Sequence, residues 1–308
     1  MNESPRVAGN IIRRMEMRFV NPILKSPYAL ILPALAICVC FSVIPALMAF
    51  RNSFFSVDYV AGVDRFAGMA NYRSIFTDGA FIQVFRNTVV FTFFSAAFGI
   101  PLAVLTAVFL NSNSPLCNFT QGVVFTPHVI SFVSVSTLWT FMMDPQFGIL
   151  NYALGLLGIR PLMWLLGENT SLPSIIIVSV WKTLGYNVLI VVSALQTIPR
   201  EVYESAMLDR SGPVRTFFHI TLPMISPFFV FLITTCVAQT LNTFDLVRLM
   251  TGGGPKNSSN LMVYWIYETG YLHFQVGKAM AGAVIFLFFV GAVSLLNFAL
   301  TSRRAYYQ

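Results

Sequence analysis

The chain has 308 residues, of which 56% are apolar and only 10% are charged, and its formal net charge is +7. Soluble domains carry about a quarter charged residues, so this composition excludes a protein whose surface is mostly in contact with water. Residues 87–143 and 216–244 contain no Asp, Glu, Lys or Arg. A helix that crosses a bilayer needs roughly 20 such residues, so the sequence predicts an integral membrane protein.

The positive charge does not indicate a nucleic-acid partner, because the sequence contains no dense basic patch. Basic residues gather instead in the first 25 residues, as the positive-inside rule predicts for a cytoplasmic segment. Cysteines within the apolar runs argue against a disulfide framework, and the four Cys and three His show no metal-ligand spacing. We expect no catalytic site, no metal and no cofactor bound by this chain itself.

The predicted fold is all-α and polytopic, with a cytoplasmic amino-terminal segment followed by one membrane domain. The turn sequence NSNSPLCN divides the longest uncharged run into two helices. The segment is expected over 1–27, the domain over 28–305, and six membrane-spanning helices over about 28–50, 84–110, 119–143, 173–196, 224–246 and 279–301.

Segment 147–167 is apolar but holds Arg160 and Pro161 at its centre. A central Arg costs roughly 2.5–3.5 kcal/mol on insertion scales. We therefore expect a helical hairpin or an amphipathic segment at the outer surface rather than a seventh span.

Six spans place both termini on one side of the membrane. With the amino terminus in the cytoplasm, the inner segments hold ten Lys and Arg in 68 residues and the outer loops hold eight in 96. The bias has the sign that the positive-inside rule requires. It places the loop over 197–222 in the cytoplasm.

Residues 203–223 form a charged island between two apolar runs. Glu204 lies early in a predicted short helix, where the helix dipole favours negative charge. Ser211–Gly212 is expected to end that helix, Pro213 to start a second one, and Pro223 to end it. A plain connector needs far fewer residues, so the island is interpreted as a docking surface.

The island resembles the cytoplasmic "EAA" loop of permease subunits of ATP-binding-cassette (ABC) importers. The usual pattern is E-A-A-x-x-D-G-A, followed about a dozen residues later by I-x-L-P. The chain matches it at Glu204, Ser205, Ala206, Asp209, Ile220, Leu222 and Pro223. ALQTIPREVYESA (194–206) and TGGGP (251–255) are similar to the carbohydrate-uptake branch, that of maltose and glycerol-phosphate permeases. The resemblance covers about residues 25–305.

The resemblance implies a non-enzymatic subunit that forms half of a translocation pathway for a sugar, polyol or glycerol-phosphate solute by alternating access. The implied partners are a second homologous permease, two copies of a cytoplasmic ATPase that binds ATP and Mg²⁺, an extracytoplasmic solute-binding protein and membrane lipid. The implied location is the cell membrane of a bacterium or archaeon. The residues implied to couple the chain to the ATPase are Glu204, Ser205, Ala206, Asp209 and Gly212.

One position departs from the family pattern. Arg210 stands where the family has Gly, a residue that tolerates a positive φ. Gly212 is expected to take over the turn.

Polar residues on the fourth and fifth predicted spans suggest a lining for the solute. Hydroxyl, amide and aromatic groups suit a sugar ring, and the resemblance favours the same two spans. Hydrogen bonding between helices is the alternative, and the Lys could pair with an anionic solute or with Asp245. The candidate residues are Lys182, Tyr186, Gln239, Asn242 and Thr243.

Three other functions are compatible with a polytopic membrane protein: a secondary carrier, a channel and a non-transporting receptor or scaffold, the last of which gives no reason for the polar residues within the spans. A secondary carrier would show paired repeats with broken helices in both halves, and no convincing internal repeat is found. A channel would need a filter or a voltage sensor, and neither sequence is present. Which solute is carried stays open.

Overall fold

The computed structural model describes residues 27–58, 63–112, 114–241 and 243–302. All but the last residue of the predicted amino-terminal segment 1–27 lies outside these ranges. The chain divides into two compact units, residues 1–52 and 53–308.

The described part of the first unit is one apolar helical rod. Helix α1 (Pro27–Cys38) passes through a π-helical turn (Val39–Val43) into α2 (Ile44–Asn52). Residues 31–52 are long and apolar enough to cross a membrane, and no residue of that stretch is buried within the chain. A largely apolar helix with this exposure is suited to lipid or protein contact rather than to water.

The second unit is mainly helical, with one small antiparallel hairpin of β1 (Phe55–Asp58) and β2 (Val63–Phe66) that sequence analysis did not predict. Its principal helices are α3 (Ala70–Thr77), α4 (Gly79–Leu110), α5 (Pro115–Val129), α6 (Phe132–Met142), α7 (Ile149–Leu156), α8 (Ser171–Leu195), α9 (Arg200–Leu208), α10 (Pro213–Thr216), α11 (Leu222–Met224), α12 (Ser226–Leu241), α13 (Phe244–Met250), α14 (Met262–Tyr267) and α15 (Val276–Ser302).

Helices α4 and α8 form the centre of the bundle and run in the same direction. Their N-terminal halves share an apolar core that includes Phe91 and Ile175, here called the N-terminal cluster. Their C-terminal halves share a second core that includes Ala103, Val188 and Leu195, here called the C-terminal cluster. The close packing of side chains within each core fixes the spacing of the two helices at that level.

Two predicted spans are not continuous helices. α5 and α6 meet at an angle of 96°, and the helical segment ending at Met224 meets α12 at 70°. By length and apolarity, the described residues contain four helices able to cross a membrane, or up to six if each bent pair is one span. The continuous helix predicted over 119–143 is therefore wrong, because Pro127 and the Ser131 cap interrupt it.

Segment 147–167 is a short helix followed by a folded-back loop rather than a long helix. α7 is followed by a 3₁₀ turn at Trp164–Leu166. The buried Asn151 holds the loop, because its Oδ1 accepts hydrogen bonds from the Leu162 amide (3.1 Å) and the Trp164 indole (2.8 Å). The predicted placement at the outer surface stays a prediction.

Candidate coupling and translocation sites

The charged island folds into two helical limbs, α9 and the continuous segment from α10 to α11. The first limb, α9, ends in a Schellman motif. The Ser211 amide donates to the Ala206 carbonyl (2.9 Å) and the Arg210 amide donates to the Met207 carbonyl (3.0 Å). Arg210 takes the left-handed conformation at φ +54°, whereas Gly212 is extended at φ −69°. The expectation that Gly212 takes over the turn is therefore wrong: Arg210 makes the turn itself, in the conformation that glycine would adopt without steric cost.

One face of α9 packs onto the bundle. Ala206 is buried, and Val202 and Tyr203 pack against the C-terminal cluster. The Tyr203 hydroxyl lies 3.2 Å from Thr221 Oγ1, within hydrogen-bond distance, and so connects α9 to the helical segment that follows the turn. Through the C-terminal cluster, α9 contacts α4, α8 and α12, which share that cluster.

The other face of α9 is open to the surroundings. Glu204, Ser205 and Asp209 are exposed, and so are the apolar side chains of Met207 (73% exposed) and Leu208 (85%). Exposed apolar groups beside acidic ones are typical of an interaction surface. Of the five predicted coupling residues, Ala206 alone is buried, so it does not belong to the exposed surface.

The second limb runs without interruption past Pro223. α10 continues through a π-helical segment (Phe217–Thr221) into α11, and the break comes at Ile225. The helix thus ends one residue after Pro223, close to the predicted end and before the next span begins. A cavity of about 440 Å³ is lined by residues of both limbs and of the ends of α4 and α8.

Lys182 on α8 caps the break between α5 and α6. Its Nζ donates to the carbonyls of Ile130 (2.6 Å), Pro127 (3.1 Å) and His128 (3.4 Å) and lies 4.4 Å from the centroid of the Phe132 ring. The side chain is 3% exposed. Its three donors thus match three carbonyls that the broken helix leaves without intrahelical partners. A pairing of Lys182 with Asp245 is not what the structure shows.

Tyr186 lies one turn beyond Lys182 on the same face of α8. Its ring stacks on His128 with centroids 4.9 Å apart and planes 19° apart, and it is half-buried. The structure therefore brings Lys182, Tyr186 and the α5–α6 break together. Sequence analysis named the first two residues but not the break that they contact.

The candidates on the fifth predicted span lie at or near the break between α12 and α13, here called the second break. Thr243 is buried and donates to the Gln239 carbonyl at 3.4 Å. Gln239 Oε1 is buried without a hydrogen-bond partner among the residues that the structure describes. Asn242 lies outside the described residues. The helix predicted over 224–246 as one piece ends at Leu241.

The glycine loop (residues 251–260) has a defined conformation held by hydrogen bonds, and it lies at the opposite end of the bundle from α9. Gly253 has φ +80°, and a Cβ on it would lie 3.0 Å from Asn260 Cγ, so this turn requires glycine. The buried Asn87 of α4 donates from Nδ2 to the carbonyls of Asn257 (2.7 Å) and Asn260 (3.2 Å).

Further bonds join the glycine loop to α8 and to the segment before it. The hydroxyls of Ser258 and Ser171 lie 2.7 Å apart, and Lys256 pairs with Glu168 at 2.7 Å. The loop is thus more than a connector between two helices. Sequence analysis found its glycines but not Asn87, because a polar residue 170 positions away carries no local signal.

The described residues form a largely helical bundle with apolar, membrane-length helices and an exposed loop packed against it, as expected of a membrane transport subunit. The chain belongs to the family of binding-protein-dependent transport system inner membrane components, whose model matches residues 99–306. It is a permease subunit of an ABC importer, as the resemblance implied.

Known relatives cover nearly the whole chain. The sn-glycerol-3-phosphate transport system permease protein UgpA of Pectobacterium atrosepticum is 32% identical over 294 residues, which are 94% of this chain and 99% of the relative. The UgpA protein of Yersinia pestis is 31% identical over 285 residues, 92% of this chain and 96% of the relative.

Two solved structures share the fold. One is a bacterial ABC transporter involved in the import of the acidic polysaccharide alginate (TM-score 0.78, 22% identity, 97% of this chain and 99% of that chain). The other is a bacterial alginate ABC transporter in complex with an alginate pentasaccharide-bound periplasmic protein (TM-score 0.79, 23% identity, 94% and 99%). Both likenesses concern the fold.

Proposed function

We propose that this permease carries a glycerol-phosphate or sugar-type solute and pairs with a second homologous permease. In the proposed assembly, two ATPase subunits bind ATP and Mg²⁺ in the cytoplasm and an extracytoplasmic binding protein delivers the solute. The chain itself supplies no catalytic group. The names of the UgpA relatives and of the alginate importers support both the solute class and the binding protein.

The two-faced geometry of α9 carries the proposal. Its exposed face offers Glu204, Asp209 and the apolar Leu208 to an ATPase. Its other face packs through Val202 and Tyr203 onto the C-terminal cluster. Closure of the ATPase dimer therefore moves the ends of the central helices, which is the mechanical step that alternating access requires. In this scheme residues 197–222 and both termini face the cytoplasm.

The proposed solute pathway follows the breaks in the helices. Tyr186 presents an aromatic ring beside the α5–α6 break, where a sugar ring can stack and its hydroxyls find polar groups. Gln239 and Thr243 contribute from the second break. Lys182 acts as a positioning residue, since its three donors hold carbonyls of the break. The glycine loop shapes the outer mouth.

The coupling role is tested by charge reversal in the complete importer reconstituted in proteoliposomes. Glu204→Lys should leave the protein inserted and assembled but abolish ATP-driven uptake, because the acidic side chain lies on the exposed face of α9. Asp64→Lys, the same reversal at an exposed position of β2, is the control and should transport normally. Normal uptake by Glu204→Lys would refute the coupling role. Uptake without the ATPase would favour a secondary carrier.

The pathway role is tested at Tyr186. Tyr186→Ala should raise KM or alter solute preference because the stacking ring is lost, whereas Tyr186→Phe keeps the ring and should retain affinity. Initial uptake rates over a range of solute concentrations measure both. An unchanged uptake profile in the alanine variant would place Tyr186 in a packing role only.

A further inference from the structure

Asn187 is a buried polar residue on a different face of α8 from Lys182 and Tyr186. Its side chain is 0% exposed, and neither Oδ1 nor Nδ2 has a hydrogen-bond partner among the residues that the structure describes. Buried amides in folded proteins are paired with protein groups or with ordered water. The amide of Asn187 therefore needs a partner that the described side chains and backbone do not supply.

The space that this amide borders is open. Gly99 of α4 is buried. If a Cβ is placed on Gly99, its only neighbour within 4 Å, among the described residues outside its own helix, is Asn187 Nδ2 at 4.0 Å. Gly185, two positions before Asn187, shows the contrast, since a Cβ there would collide with the backbone of Val124. The α4–α8 interface thus leaves room at Gly99, whereas the contact at Gly185 is tight.

A second unpaired polar group lies one turn away on α4. Ser95 precedes Gly99 by four residues and shares its face of the helix. It is 4% exposed, and its Oγ has no hydrogen-bond partner within the described ranges. Side chains on a helix lean toward its N-terminus, and α4 and α8 run in the same direction. The amide of Asn187 is therefore directed toward the level of Ser95.

We propose that Asn187, Ser95 and the open side of Gly99 form a buried water site between α4 and α8. A water molecule can both donate and accept hydrogen bonds. It can therefore donate to Asn187 Oδ1, accept from Asn187 Nδ2, and either donate to or accept from the Ser95 hydroxyl. A metal cation would require several oxygen ligands, usually including carboxylates. The site lies between the N-terminal and C-terminal clusters, so it inserts a polar layer between the two apolar cores of the bundle.

A substitution cycle at Gly99 and Asn187 tests this site. In the purified importer with its partner subunits, Gly99→Ala should lower the melting temperature, because the added methyl group displaces the water and leaves the amide unpaired. In the Asn187→Leu background the same substitution should raise it, as filling an apolar gap does. Gly122→Ala is the control for helix propensity alone, since nothing lies within 4 Å of a Cβ on that exposed residue.

Two results would overturn the proposal. One is that Gly99→Ala, in the protein that retains Asn187, raises the melting temperature as much as Gly122→Ala does. The space beside Gly99 would then contain no water to displace. The other comes from a cryo-electron microscopy map of the unsubstituted importer that shows ordered water elsewhere but none within hydrogen-bond distance of the Asn187 amide. Density at that place is the expected result, and it does not depend on the stability of any variant.

Discussion

At the scale of single residues, Lys182 is a buried cation held, among the described residues, by backbone carbonyls rather than by a carboxylate. Lys182 was predictable as a special residue because a cation is costly within a membrane span. Its partners are backbone carbonyls of 127, 128 and 130, which become available only because α5 breaks there. Backbone acceptors carry no sequence signal, so sequence analysis named only an anionic solute or Asp245 as partners, and the structure does not show the second.

Arg210 shows a local conflict between sequence and conformation. A non-glycine residue in the left-handed region costs roughly 1–2 kcal/mol, and the Schellman motif of α9 imposes that region on Arg210. Sequence analysis identified the missing glycine, but it could not tell which residue would bear the strain.

Arg210→Gly should stabilise the end of α9 by about 1 kcal/mol, because glycine adopts a positive φ without steric cost. Slower hydrogen exchange of the amides that close the Schellman motif would report the gain. Arg215→Gly is the control, since Arg215 lies within helix α10, where glycine should destabilise. Faster exchange in Arg210→Gly than in the unsubstituted protein would contradict the assignment of strain to Arg210.

At the scale of elements, the long apolar helices were predicted well and the breaks poorly. The span predicted over 84–110 belongs to α4, which begins five residues earlier at Gly79 because Asp78 caps it. The Asp78 carboxylate accepts from the Ala80 amide at 2.9 Å. Long uncharged apolar runs identify the helices, whereas a break depends on tertiary partners such as Lys182. The β1–β2 hairpin was missed because its strands are only four residues long.

An ion pair joins the first turns of α4 and α15. Asp78 Oδ2 and Lys278 Nζ lie 2.7 Å apart, and both side chains are partly buried. Partial burial raises the pKa of the Asp78 carboxyl, but the hydrogen bond and charge of Lys278 and the amides of Ala80 and Phe81 outweigh it, so the pKa lies below the ordinary value of 3.8.

This pair predicts a pH dependence of stability. Since the folded-state pKa of Asp78 is depressed, its contribution is present above the ordinary pKa and is lost as the pH falls through the folded-state pKa. Asp78→Asn keeps the cap but loses the ion pair, and should cost roughly 0.5–1 kcal/mol at neutral pH and less in acid. Thermal unfolding at several pH values measures this loss of stability.

Glu168→Gln is the control, because it breaks the exposed pair with Lys256 and should change the stability little. An equal loss for Asp78→Asn at every pH would contradict the account.

At the scale of the whole molecule, the class of protein was predictable and the mechanical connection was not. The apolar runs predicted an integral membrane protein, the resemblance of the loop at 203–223 implied an importer permease, and the family match confirms that class. The packing of Tyr203 and Val202 onto the C-terminal cluster could not be predicted, because it joins residues from α4, α8, α9 and α12. The pathway through both breaks stays a proposal.

The central claim is that α9 lies on the ATP-binding side of the membrane and transmits motion from the ATPase to the bundle. The most direct test is thiol labelling in sealed, right-side-out vesicles. Leu208→Cys is suitable because Leu208 is 85% exposed, and a background without the four native cysteines avoids other labels. Phe147→Cys, at an 88% exposed position in a predicted outer loop, is the control.

A membrane-impermeant maleimide should label Phe147→Cys in intact vesicles and should label Leu208→Cys only after the membrane is opened. Bound ATPase should then protect Leu208→Cys from the reagent. Labelling of Leu208→Cys in intact vesicles would place α9 on the wrong side of the membrane and contradict the coupling mechanism.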